Sequence, residues 1–157
     1  MIVLPHIRLA AGAEAGPIAR MSREYIEYGL GWSWTPQRVL RAIHDRSTNV
    51  VVSHEQEAIL GFGIMSYGET KAHLVLLGVE PARRHRGLGA ALLVWLEKCA
   101  RTAGLERIQL EARADNPGAI AFYREQGYKA VGSVAGYYRG SVDAVRMDKP
   151  LGSQPGD

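Results

Sequence analysis

Apolar positions along this chain switch repeatedly between a spacing of two and a spacing of three to four, which predicts strands interleaved with helices. His6–Leu9 reads as a short strand. From Ala15 to Tyr28, the residues Ile18, Met21, Tyr25 and Ile26 fall roughly on one face, predicting a helix that GLGWSW (29–34) breaks. Thr35 is placed to cap a second helix, with Pro36 at its first position and Val39, Leu40 and Ile43 turned inward. Asn49–Ser53 and Ala58–Tyr67 read as strands around the polar turn HEQE, although Gly61 and Gly63 are poor strand formers. Ala72–Val79 is almost unbroken in apolar character, the pattern of a strand buried on both faces. The clearest helix runs from Leu88 to Arg101: Leu88, Ala91, Leu92, Trp95, Leu96 and Cys99 share one stripe, and Gly104 ends it. Arg107–Ala112 is a further strand. Asn116 and Pro117 supply a cap and a first residue for a helix closed by Gly127, and strands near Tyr128–Val134 and Ala144–Asp148 follow. This order predicts an α/β (α+β) architecture in one domain, residues 1–151, with helices on both faces of a sheet and a frayed tail over 152–157.

Composition narrows the class more than the function. A hydrophobic fraction of 46% and a charged fraction of 22% are those of an ordinary globular protein with a single core. The net charge of +3 is too small for a dedicated nucleic-acid binder, and no nucleic-acid partner is expected. One cysteine, Cys99, excludes a disulfide framework and fits a reducing compartment. The start, MIVLPHIRLA, has no basic stretch ahead of its apolar patch, and no apolar run approaches the roughly 20 residues of a membrane helix. A cytoplasmic protein without a membrane partner or a bound metal is the expectation. Monomer and homodimer are both left open.

The chemistry concentrates in LVLLGVEPARRHRGLGAALLVWLEKC (74–99), a strand, a basic turn and a helix. A helix N-terminus offers unpaired N–H groups and the positive end of a dipole, a combination that binds phosphate. Gly87 and Gly89 let the backbone approach a ligand closely, while Arg83, Arg84 and Arg86 add charge and paired donors. An anion is the implied guest. A dinucleotide fingerprint fails because Leu92 stands where its third glycine belongs, and no segment fits a P-loop. A solvated basic turn ahead of a core helix is the plain alternative.

The R-x-x-G-x-G of Arg84, Gly87 and Gly89 resembles the coenzyme A signature of the GNAT N-acetyltransferase superfamily. LEARADNPGAIAFYREQGYKAVG (110–132) is similar to that superfamily's second conserved block. The resemblance covers residues 72–149, and the N-terminal half follows only in layout. It implies a mixed sheet of about six to seven strands with about four helices, splayed between the strands at 72–79 and 107–112. It implies acetyl-CoA as cofactor, its pantetheine arm in that gap and bonded to the backbone of Leu77, Gly78 and Val79. The amides of Arg84, His85, Arg86, Gly87, Leu88, Gly89 and Ala90 would cradle the pyrophosphate. Asn116 would both cap its helix and touch the cofactor.

Such a reaction needs a neutral amine, a held oxyanion and a proton for the departing thiolate. The resemblance implies direct attack, with the oxyanion on a main-chain N–H near Val79. Tyr123 is the candidate acid, also in contact with the cofactor, since a phenol near pKa ~10 is protonated at neutral pH. Its alternative is a core aromatic beside Phe122. Glu111 is the candidate base, the alternative being an ordinary ion pair with Arg107 or Arg113. Glu69, His73 and Glu80 stand in reserve, and Cys99 is assigned to packing. About a tenth of α-amines (pKa ~8) are neutral at pH 7, against well under a thousandth of lysines, so the chemistry leans towards α-amines.

Within the superfamily the chain most resembles the RimI-like peptide α-amine acetyltransferases, through the second block, AGYYRGSVDAVRMDKPL (135–151) and GWSWT (31–35). That resemblance implies a peptide slot walled by Trp32, Trp34, Tyr137 and Tyr138 and ending at Glu111. A small-amine acetyltransferase, acting on an amino acid, polyamine or aminoglycoside, is the first alternative. A non-catalytic acyl-CoA-binding module is the second.

Overall fold

A computed structural model describes residues 6–152; the expected tail beyond Gly152 lies outside the described residues. The elements run β1 (His6–Leu9), α1 (Ala15–Tyr25), α2 (Pro36–His44), β2 (Thr48–Glu55), β3 (Ala58–Tyr67), β4 (Lys71–Val79), α3 (Leu88–Thr102), β5 (Arg107–Arg113), α4 (Pro117–Glu125), β6 (Lys129–Tyr138) and β7 (Val142–Pro150). Seven strands form one sheet in the order β1-β2-β3-β4-β5-β7-β6. Every neighbouring pair is antiparallel except β4 and β5, which run parallel.

Two apolar layers lie on opposite faces. On one, Leu92, Leu93, Leu96 and Ala100 of α3 pack on Met65, Leu74, Ile108, Leu110 and Met147, with Phe122 and Tyr123 of α4 at the margin. On the other, Ile18, Ala19 and Met21 of α1 and Val39 of α2 pack on Val50, Val52, Phe62, Ile64 and Leu76. Gly61 and Gly63 explain themselves here. A Cβ on Gly63 would stand 2.9 Å from Leu96 Cδ1, and one on Gly61 3.0 Å from Leu92 Cδ1, so their absence seats α3 directly on β3. Among the described residues no helix is long and apolar enough to cross a membrane.

The strand expected to be buried on both faces is not. In β4, fully buried residues alternate with partly exposed ones. A bulge sits in its middle: Leu76 pairs with Ile64 and Leu74 with Met65, leaving Val75 as an extra residue. Leu74 therefore faces the α3 layer, whereas Val75 and Leu76 both face the α1–α2 layer. At the same point the ladder to β5 stops, its last pair being Leu74 with Leu110. Both strands run on beyond it, to Val79 and Arg113. The bulge thus opens the centre of the sheet.

Two helical expectations need correction. The first helix ends at Tyr25 rather than Tyr28, because buried Glu27 folds back to hydrogen-bond Ser22 and the backbone of Ser33 and Trp34. Leu40, expected inward, is 39% exposed, leaving Val39 as the fully buried residue of α2.

Candidate active site

The strand, turn and helix that the sequence marked as anion-binding fold as expected. Gly87 is the N-cap of α3 with φ 84°, and no side chain caps the helix, so the amides of its first turn are left for a guest. His85 is also left-handed, at φ 64°. Positive-φ residues in a turn are the backbone of anion-binding amide nests, and for a non-glycine residue they carry a conformational cost. A Cβ on Gly89 would lie 3.3 Å from the Phe122 ring and 3.7 Å from Val79, so a larger side chain would crowd this surface. Arg84, His85 and Arg86 are exposed. Arg84 Nε donates to the Val79 carbonyl at 3.1 Å, while Arg83 pairs with Glu55 at 3.4 Å. Leu77, Gly78 and Val79 lie on β4 past its last pair with β5, with no ladder partner on that side. Asn116 caps α4, its Oδ1 accepting from Ala119 N at 3.1 Å. A splayed strand edge ending at an uncapped, glycine-lined helix start fits a long ligand with a diphosphate.

On the far side of the gap, Glu111 gathers residues remote in sequence. Its Oε1 accepts from Tyr137 Oη at 3.0 Å and meets His73 Nε2 at 2.6 Å; its Oε2 accepts from Arg146 Nε at 3.2 Å. Tyr138 Oη donates to its backbone carbonyl at 3.0 Å. The Glu111 side chain is only 4% exposed. Burial pushes its carboxyl up, but the bonds from His73, Tyr137 and Arg146 together outweigh burial and hold it at about 2. Burial, reinforced by the Glu111 charge, pushes Tyr137 up to about 12. Glu111 pairs with Arg146 and His73, not with Arg107 or Arg113.

Tyr123 stands on the α3–α4 side, edge-on to Phe122 and Tyr128 at centroid separations of 5.2 and 5.9 Å. Burial alone raises its phenol well above the ordinary value, so it is protonated across the physiological range. It also lies near enough to Tyr138 to raise that phenol in turn.

A cavity of about 630 Å³ lies over the α1–α2 face. Trp34, Arg38 and Arg41 form one wall and Tyr137, Tyr138 and Arg139 the other, with His73 and Val75 of β4 between them. Trp34, Tyr137 and Tyr138 are thus brought together as expected. Trp32 is not: its Nε1 donates to the Ala19 carbonyl of α1 at 3.1 Å, and the ring packs into the α1–α2 layer. Glu69 and Glu80 do not line the cavity, whereas His73 does.

Two organising residues, Glu27 and Arg113, carried little signal in the sequence. Buried Glu27 binds Ser33 N (2.8 Å), Trp34 N (3.2 Å) and the Ser33 hydroxyl, which fixes the α1–α2 loop. Arg113, 7% exposed, donates to the carbonyls of Ile26 and Tyr28 at 2.9 Å each, pairs with Asp115 and stacks on Tyr28 at 3.9 Å. It ties the end of β5 to the cavity wall. A polar residue closing a strand beside the gap was the only hint available.

A sequence model of the Acetyltransferase (GNAT) family matches residues 18–128. The N-alpha-acetyltransferase RimI of Mycobacterium tuberculosis is 34% identical over 124 residues, 76% of this chain and 77% of that protein. Two solved structures share the fold with a TM-score of 0.80 each. The ribosomal-protein-S18-alanine N-acetyltransferase of Escherichia coli has 23% identity over 98% of this chain and 97% of its own. The PaiA N-acetyltransferase of Thermoplasma acidophilum, in complex with coenzyme A, has 19% identity over 94% of this chain and 99% of its own. The open sheet, the glycine-lined helix start and these likenesses agree: the chain belongs to the GNAT acetyltransferase family.

Proposed function

We propose that this enzyme carries the acetyl group of acetyl-CoA to the α-amine of a peptide or protein N-terminus. One observation carries the reading. The cavity between the α1–α2 loop and the β6–β7 hairpin opens beside His73, one residue before the β4–β5 ladder ends. A donor lying in the splay and an extended acceptor lying in the cavity would meet there.

The residues fit the donor. The backbone of Leu77, Gly78 and Val79 would hold the pantetheine arm, and the amides from Arg84 to Ala90 the pyrophosphate, with Asn116 beside it. Bound there, acetyl-CoA supplies an acyl thioester and, after transfer, a thiolate. A main-chain N–H near Val79 is assigned to the oxyanion. Tyr123, fully protonated and with no charged neighbour contributing to that state, is the hydrogen-bond and proton donor for sulfur.

The acceptor side divides the base's task between two residues. The bonds from His73, Tyr137 and Arg146 hold the Glu111 carboxyl well below its ordinary value, which makes it a poor proton acceptor, and it is assigned the role of a fixed negative charge. It orients His73 and attracts the incoming ammonium. His73, whose side chain is 36% exposed and lines the cavity, takes the proton. Trp34, Tyr137 and Tyr138 flank the peptide, and Arg113 and Glu27 hold its walls in place.

A thiol-release screen with acetyl-CoA tests the reading. Turnover with N-terminal peptides and little with small amines supports it. Turnover confined to amino acids, polyamines or aminoglycosides overturns the acceptor, and binding without thiol release from any amine overturns the enzyme.

A further inference from the structure

Resting on the peptide reading above, we propose that the cavity selects N-termini whose first few residues after the α-amine carry carboxylates. Three guanidiniums line it: Arg38 and Arg41 from α2, and Arg139 from the tip of the β6–β7 hairpin. All three are exposed, and none takes part in an ion pair among the described residues. Arg38 is also positioned. Its guanidinium lies 3.9 Å from the centre of the Trp34 ring, so its planar fork is oriented before any ligand arrives.

The carboxylates near these arginines are already engaged. Glu27 is buried beneath the wall and saturated by Ser22, Ser33 and Trp34. Asp45 closes α2, accepting from Ser47 N at 2.9 Å and Thr48 Oγ1 at 3.0 Å. Glu111, behind the cavity, is taken by His73, Tyr137 and Arg146. A visiting peptide therefore meets three arginine heads on the two walls against one exposed carboxylate, Asp45, which also lines the cavity and is held by its own turn. With the α-amine at His73, the following residues run outward between α2 and the hairpin. Carboxylates there would find paired donors from Arg38, Arg41 and Arg139, while lysine or arginine would be repelled.

The test is kcat/KM by thiol release for three peptides that begin with alanine and differ only at positions two to four. These positions carry aspartate, serine or lysine. The aspartate peptide is expected to exceed the lysine peptide by about tenfold at low salt, the scale of a few partly exposed charge pairs. That ratio should shrink as ionic strength rises, because such pairs are screened. Arg38→Glu combined with Arg139→Glu should reverse the order. Equal rates for the three peptides in the unaltered enzyme, or a preference for lysine, would overturn the inference while leaving the peptide reading intact. Turnover of small amines with none of any peptide would remove both.

Discussion

Replacing Glu111 by glutamine tests the polar cluster on which the acceptor chemistry rests. Holding the carboxyl at about 2 instead of 4.5 is worth about 3 kcal/mol to the ionised form, at 1.36 kcal/mol per factor of ten. A depressed carboxyl contributes stability that is fully present above its unfolded value and lost as pH falls through the folded one. The unaltered protein should therefore lose about 3 kcal/mol as the pH drops from about 4.5 to 2, a loss Glu111→Gln should not share. At pH 7 the variant should be less stable by up to about that amount, with His73, Tyr137 and Arg146 all facing an uncharged amide. Chemical denaturation of both proteins from pH 7 down to 3 reads the gap directly. The gap should be widest at pH 7 and narrow below pH 4.5. kcat should fall as His73 loses its anchor. A gap that is absent, or constant across that range, would show that the cluster does not hold the charge, and Glu111 would return as a direct base.

Tyr123→Phe should lower kcat by about a hundredfold or more while acetyl-CoA binding, measured by calorimetry, stays close to that of the parent. Unchanged turnover would remove the acid. Arg113→Ala should cost about 2–4 kcal/mol in denaturation, since the carbonyls of Ile26 and Tyr28 lose a charged donor, and should raise KM for peptide as the wall loosens. The tryptophans should separate. Trp32→Phe loses the bond to Ala19 and should lower Tm with little change in KM, whereas Trp34→Phe should raise KM for peptide with little change in Tm.

The donor half of the site was legible because its chemistry is local. A strand, a basic glycine turn and a helix start are contiguous, so Lys71–Val79 and Leu88–Thr102 form close to where periodicity put them. Thr35 and Asn116 cap their helices for the same reason: cap and capped amide are three residues apart. The acceptor half depends on partners that spacing does not encode. His73 and Glu111 are 38 residues apart and meet only because β4 and β5 pair in parallel up to Leu74 and Leu110. The bulge at Val75 has no signature in an apolar run, so spacing did not show that Val75 and Leu76 share a face. On α3, the stripe drawn through Cys99 lies slightly off. Cys99 is half-buried, while Glu97 on the same helix is 4% exposed, accepting from Tyr128 Oη at 2.9 Å and Lys149 Nζ at 3.0 Å. A buried carboxylate with distant partners defeats a reading based on polarity alone.

The central claim is that acetyl-CoA lodges in the opened sheet with its diphosphate on the first turn of α3. Calorimetric titration of the unaltered protein and of Gly89→Leu with acetyl-CoA measures it most directly. A saturable one-to-one isotherm, weakened by about tenfold or more where a side chain intrudes beside Phe122 and Val79, is the predicted result. No saturation in the unaltered protein, or equal affinity in both, would contradict it.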